Sequence, residues 1–227
     1  MLNHRISNII TALAAVGVIY AVFFIVPPVE GLGEKVRIVF FHIPAAWISV
    51  MAFVLSALWA LRYLNTHQIE YDRKSATAAG LGFFFCLLAT ISGALFAKIT
   101  WGAYWNWDPR QTTIFILLLL YGASFALRTA IHDIDQRAKI SSAYSLLSIV
   151  VMPFLVFVIP RYYSSLHPSP VINSAAKIAM DPVMLYTLIA ALLVASALFR
   201  QLFIYYIERT RRRDLAQKDS PEGGGRL

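Results

Sequence analysis

The side chains in this sequence best suited to chemistry are two histidines, each close to a proline, and a tryptophan-rich segment that ends in an arginine. His42 lies in Phe40-Phe41-His42-Ile43-Pro44, and His167 in Ser165-Leu166-His167-Pro168. Between them, residues 101–113 read WGAYWNWDPRQTT, with Trp101, Tyr104, Trp105 and Trp107 followed at once by Asp108, Pro109 and Arg110. Two imidazole nitrogens suit the axial positions of a metal held in a planar macrocycle. Flat rings stack against such a ligand, and a guanidinium pairs with acidic groups on its edge. Each part also has a plainer reading. A boundary histidine can be structural, and Trp and Tyr favour the headgroup level of any membrane protein. Asp108, Pro109 and Gln111 make an N-cap, a first-turn proline and an N3 residue for a following helix. Arg110 is left over, because a cation in the first helical turn opposes the helix dipole. With the free N–H groups of that turn it suits a carboxylate or phosphate, and Arg37 and Arg161 are candidate helpers.

The elements that position these residues are membrane spans. The chain has 227 residues, 59% of them hydrophobic and 14% charged, a composition of integral membrane proteins. Six apolar runs, roughly 7–26, 43–61, 77–97, 111–127, 141–160 and 183–204, are long enough to cross a bilayer core of about 30 Å. The fold expected is all-α and integral to the membrane, with six transmembrane helices and a short tryptophan-rich interfacial segment on the outer face. If the N-terminus is cytoplasmic, 14 of the 20 Lys and Arg residues fall on cytoplasmic pieces and six on outer ones. That bias fits the positive-inside rule with both termini cytoplasmic, so the net charge of +8 reads as topology and not as nucleic-acid binding. The first span is expected to be an uncleaved anchor. Residues 1–216 form one domain on this reading, and the Gly-rich stretch 217–227 a disordered cytoplasmic tail. The cytoplasmic connections near 62–76 and 128–140 read as solvated loops. The central parts of spans two to six carry no Asp, Glu, Lys, Arg or His, which weighs against a pump or ion-coupled carrier. The lone Cys86 reads as a small buried hydrophobe.

Placed on a helix at about 100° per residue, Trp101, Tyr104, Trp105, Trp107 and Asp108 share one broad arc. The second span is expected to begin near Pro44, which leaves His42 at the outer boundary. His42 and His167 then lie at one level on one face, whereas His4, His67 and His132 fall on the other. Haem has the set of needs that two imidazoles, an aromatic platform and a guanidinium would meet.

The segment WGAYWNWDPR resembles the tryptophan-rich "WWD" signature of haem-handling membrane proteins. Together with six spans, FHIPAAW and SLHP, it resembles the haem exporter protein C family (CcmC) of cytochrome c maturation. Trp101, Gly102, Trp105, Trp107, Asp108 and Arg110 match the signature, and Tyr104 stands where a Trp is common. The resemblance implies that His42 and His167 are axial ligands of haem b (iron protoporphyrin IX), carried as a transferred ligand. It also implies delivery to the periplasmic haem chaperone (CcmE), with CcmD and the ABC transporter subunits CcmA and CcmB as partners in the bacterial inner membrane. A membrane b-type cytochrome working with quinol, a haem or solute permease subunit, and the larger cytochrome c synthases are the competing classes. The sequence has no G-x-x-x-x-G-K-[ST] and no C-x-x-C-H, so neither P-loop hydrolysis nor c-type haem attachment is written in it.

Overall fold

The computed structural model describes residues 2–167 and 180–218. Six helical stretches in it are long and apolar enough to cross a membrane. Helix α1 (Leu2–Tyr20) runs into a π turn at Ala21–Ile25, and a 3₁₀ turn at Glu34–Ile38 leads into α2 (Val39–Thr66). Helices α3 (Ile69–Trp101), α4 (Pro109–Ala130) and α5 (Ile134–Pro153) follow, and α5 continues through a π turn at Phe154–Val158 into the short α6 (Ile159–Tyr162). Helix α7 (Pro182–Lys218) is the last. Residues 219–227 of the expected tail lie outside the described residues, and positions 217 and 218 still belong to α7.

Helix starts follow capping chemistry. Asp108, Asp133 and Asp181 each accept a backbone N–H from the first turn of α4, α5 and α7, and proline occupies the first position of α4 and of α7. Helix α3 stops at Gly102, whose φ of 85° is open to glycine and costly for other residues.

Lipid tails are as apolar as leucine, so packing and hydrogen bonds have to hold such helices together. Helices α2 and α3 meet through small residues, with Ala45, Ala52, Ala60, Ala78, Ala79 and Ala89 all buried. At the centre, Phe53 of α2 stacks on Tyr121 of α4 with ring centroids 3.5 Å apart. Around this pair lie Cys86, Leu117, Met152 and Leu155. A Cβ at Gly82 would sit 2.7 Å from the Phe53 ring and 3.2 Å from the Ala52 Cβ. Phe53, pinned between Gly82 and Tyr121, has nowhere to go. Gly82→Ala is therefore expected to cost about 1–3 kcal/mol of stability, read as a lower unfolding temperature in detergent; an unchanged temperature would mean that the ring yields.

Two expectations about the ends of spans are corrected. The connection between α2 and α3 is only His67 and Gln68, and the helices run through most of 62–76. Asp72, assigned to a solvated loop, is 2% exposed and grips Arg128 of α4 with two hydrogen bonds of 2.7 and 2.5 Å. Composition marks where charge begins but not where a helix ends, and here each helix extends past its apolar run. Beside this ion pair, Ser56 of α2 hydrogen-bonds both Ser75 of α3 and Ser145 of α5. Helix α2 also starts five residues before Pro44, at Val39. Pro44 is the sixth residue of α2 and lies inside the helix, so the Phe40 carbonyl goes without the N–H that any other residue would give it. His42 is thus a helical residue in the first turn of α2.

Candidate functional site

His42 points from α2 to α3. Its Nδ1 lies 3.0 Å from the Ala89 carbonyl oxygen and 3.1 Å from the Ser92 hydroxyl. A carbonyl only accepts, so Nδ1 carries the proton and Nε2 is left with its lone pair. Gly93 makes room for this, since a Cβ there would stand 3.1 Å from the imidazole Cε1.

His167 reaches the same arrangement by other means. Its Nδ1 lies 3.0 Å from Oδ1 of Asp108, and the Trp101 ring meets it edge-on at 5.2 Å. Asp108 is 4% exposed and also accepts the Arg110 and Leu166 N–H groups and the Ser165 hydroxyl. Burial would raise the Asp108 carboxyl, but these hydrogen bonds and the neighbouring imidazole outweigh it and hold the carboxyl below its usual range. The carboxylate accepts, and Nε2 of His167 again keeps its lone pair. Burial pulls the His167 imidazole below its ordinary value; Asp108 opposes this, while Arg110 and His42 add to the lowering. A neutral imidazole is the form that binds a metal. Among the described residues, neither Nε2 has a hydrogen-bond partner.

Both histidines line one cleft, which encloses about 720 Å³ of space not filled by atoms, part of it open to the outside. Trp105, Arg110, Gln111 and Gly93 share the wall, and Ala89, Leu155 and Pro160 are among the apolar contributors. Among the described residues the buried Arg110 Nε has no hydrogen-bond partner, an arrangement in which a guanidinium suits an anion. Arg161 acts electrostatically on Arg110 but bonds the Phe157 carbonyl. Arg37 is committed to Glu34 and the Val22 carbonyl, away from the cleft.

The single aromatic arc is not what forms. Helix α3 ends at Trp101, and residues 102–108 are irregular, with Trp107 at a φ of +54°. Gly102 breaks the helix because its left-handed conformation satisfies the last carbonyls of α3, so a helical projection past it does not apply. The rings separate instead. Trp101 packs inward between Phe96 and His167, and Trp105 lines the cleft and meets Trp107 and Phe115 edge-on. Tyr104 and Trp107 are 57% and 70% exposed, with Lys98 over the Tyr104 ring. Gln111 holds the irregular segment, accepting the Asn106 N–H and donating to the Tyr104 carbonyl. The residues that sequence reasoning missed are the supports: Ala89, Ser92, Gly93, Gln111 and Ser165. Only Gln111 carried a signal, as the N3 residue.

A sequence profile described as "Heme exporter protein C" matches residues 2–220. A ccmC-like mitochondrial cytochrome c biosynthesis protein of Marchantia polymorpha is 27% identical over 203 residues, 89% of this chain and 82% of that protein. Heme exporter protein C of Paracoccus denitrificans is 30% identical over 198 residues, 85% of this chain and 80% of that protein. The protein of the same name from Bradyrhizobium diazoefficiens is 28% identical over 167 residues, and the match spans 63% of its length. With residues 2–220 matched by that profile, the chain belongs to the heme exporter protein C (CcmC) family.

Proposed function

We propose that this protein handles haem for cytochrome c biogenesis: it binds haem b in the His42–His167 cleft and passes it to the haem chaperone CcmE. The observation that carries this is the shared cleft, in which each imidazole uses Nδ1 to hold itself and leaves Nε2 available. Among the described residues no group of three or more His, Cys, Asp or Glu could hold a bare metal ion. Two imidazoles suit a metal whose remaining ligands come with it, as in a porphyrin. Trp105 gives the macrocycle a flat neighbour, and Arg110 a partner for a propionate. Asp108 and Trp101 hold His167, while the exposed Tyr104 and Trp107 present rings to haem or to the chaperone.

The charge bias of the loops supports an outward-facing cleft in the bacterial inner membrane. CcmD and the ABC subunits CcmA and CcmB complete the set of partners proposed. No acid or base is required of this chain. Its contribution to covalent attachment of haem to the chaperone is placement of two reactants, which removes an entropic barrier.

Protein purified from haem-replete membranes should show the Soret and low-spin visible bands of bis-imidazole iron, and should be captured with the chaperone. A preparation that takes up no haem on titration would overturn the reading. Arg110→Gln is expected to leave those bands in place and weaken haem binding roughly tenfold or more, as loss of a charge-assisted hydrogen bond of about 1.5–3 kcal/mol requires. An unaltered affinity would remove the propionate from Arg110.

A further inference from the structure

The two imidazoles are backed differently, and the difference bears on how the cargo leaves. We propose that they are unequal ligands: His167, backed by the Asp108 carboxylate, is the anchor, and His42, backed by a peptide carbonyl, is the ligand that lets go. This rests on the reading of the cleft as a haem site.

A hydrogen bond to an ionised acceptor is about twice as strong as one to a neutral acceptor. It draws the Nδ1 proton away from the ring and makes the opposite nitrogen a stronger donor to a metal. Asp108 does this for His167 at 3.0 Å. His42 has only neutral acceptors, the Ala89 carbonyl and the Ser92 hydroxyl. The Ser92 hydroxyl hydrogen is itself directed to the Leu88 or Ala89 carbonyl, so Ser92 adds no charge and little polarisation.

Position points the same way. His42 belongs to α2, which packs closely against α3, and its ring is wedged against Gly93. His167 sits on the connection after α6, tied to Asp108 through Ser165, Leu166 and its own ring. Release would then begin as a ligand dissociation: His42 would give up the metal with the electron pair kept on Nε2 and no proton moved, while His167 and Arg110 would keep hold of the cargo. Asp108 is a positioning residue in this scheme, since it acts through His167.

The test uses the full chain loaded with haem. His42→Ala should keep haem as a five-coordinate, high-spin species that added imidazole returns to low spin, whereas His167→Ala should lose at least about ten times more haem. Asp108→Asn keeps an N-cap side chain and removes the charge, and its NH2 group also replaces one of the two acceptor oxygens, the one that takes the Leu166 N–H when the remaining oxygen faces His167. It should weaken haem binding about 10–100-fold, raise the reduction potential and widen the g-spread of the ferric low-spin resonance. Equal haem loss from the two histidine variants, or a parent-like potential and resonance in Asp108→Asn, would overturn the inequality and leave the haem site standing. Full haem retention in both histidine variants would bring down the haem reading itself.

Discussion

The double variant His42→Ala/His167→Ala is expected to lose its haem altogether, with no Soret band above that of the detergent blank after loading and gel filtration. The size of the effect follows from what remains. Substituting a residue that only supports a metal-bound histidine commonly costs about 10–100-fold in affinity, so deleting both histidines must cost more than either limit. Trp105 and Arg110 would still line the cleft, but ring contact and one ion pair at a partly exposed site are worth a few kcal/mol at most. The fold should survive. His42 and His167 are neither fully buried nor part of the apolar clusters, so the unfolding temperature of the unloaded protein is expected to stay near that of the parent. A double variant that folds and keeps its Soret band would move the haem to another place in the molecule.

Arg128→Ala is expected to be the most damaging single change to stability. Asp72 keeps only 3% of its side chain exposed and Arg128 23%, and the two meet through a bidentate pair. Taking away the guanidinium leaves a buried carboxylate without its cation near Ser75 and the ends of α3 and α4. Breaking a buried pair from one side costs about 3–5 kcal/mol. The lower end applies here, because the partly exposed arginine is screened to some extent. The converse is equally testable. Replacing both partners together, as Asp72→Leu with Arg128→Met, should recover most of the loss, since paired apolar groups often match a buried ion pair. Unfolding in detergent of the two variants separates these outcomes; equal damage from the single and the double change would show that packing, not charge, is at stake.

The number of spans and their approximate places were legible from composition, because crossing a bilayer leaves a run of apolar residues that nothing else explains. Helix ends were not. The ends of α2, α3 and α7 are polar helices outside the apolar runs, and no hydropathy sum separates them from loops. That is why Asp72 passed for a solvated residue. At the site, types and spacing identified His42, His167, Trp105 and Arg110, which share one cleft. They also identified Asp108 as a cap, and it is one. Its second role, on Ser165 and His167 57 and 59 residues away in sequence, depends on tertiary geometry that local spacing does not carry. The support of His42 is less legible still, since a backbone carbonyl at Ala89 and an absent side chain at Gly93 leave no mark in residue chemistry. Trp101, Tyr104, Trp105 and Trp107 were grouped on a helix that Gly102 terminates, an error that a glycine after a lysine-bearing last turn could have warned against.

The stacked pair Phe53–Tyr121 has a bearing on traffic through the protein. Leu155 belongs at once to the wall of the histidine cleft and to the tight cluster around that pair. Below the cleft there is therefore a floor, made of side chains with 0–5% of their surface accessible, and the serines and the ion pair lie on its far side. If the cleft receives a planar cargo, as proposed, these tightly packed side chains close it on the side facing Phe53 and Tyr121.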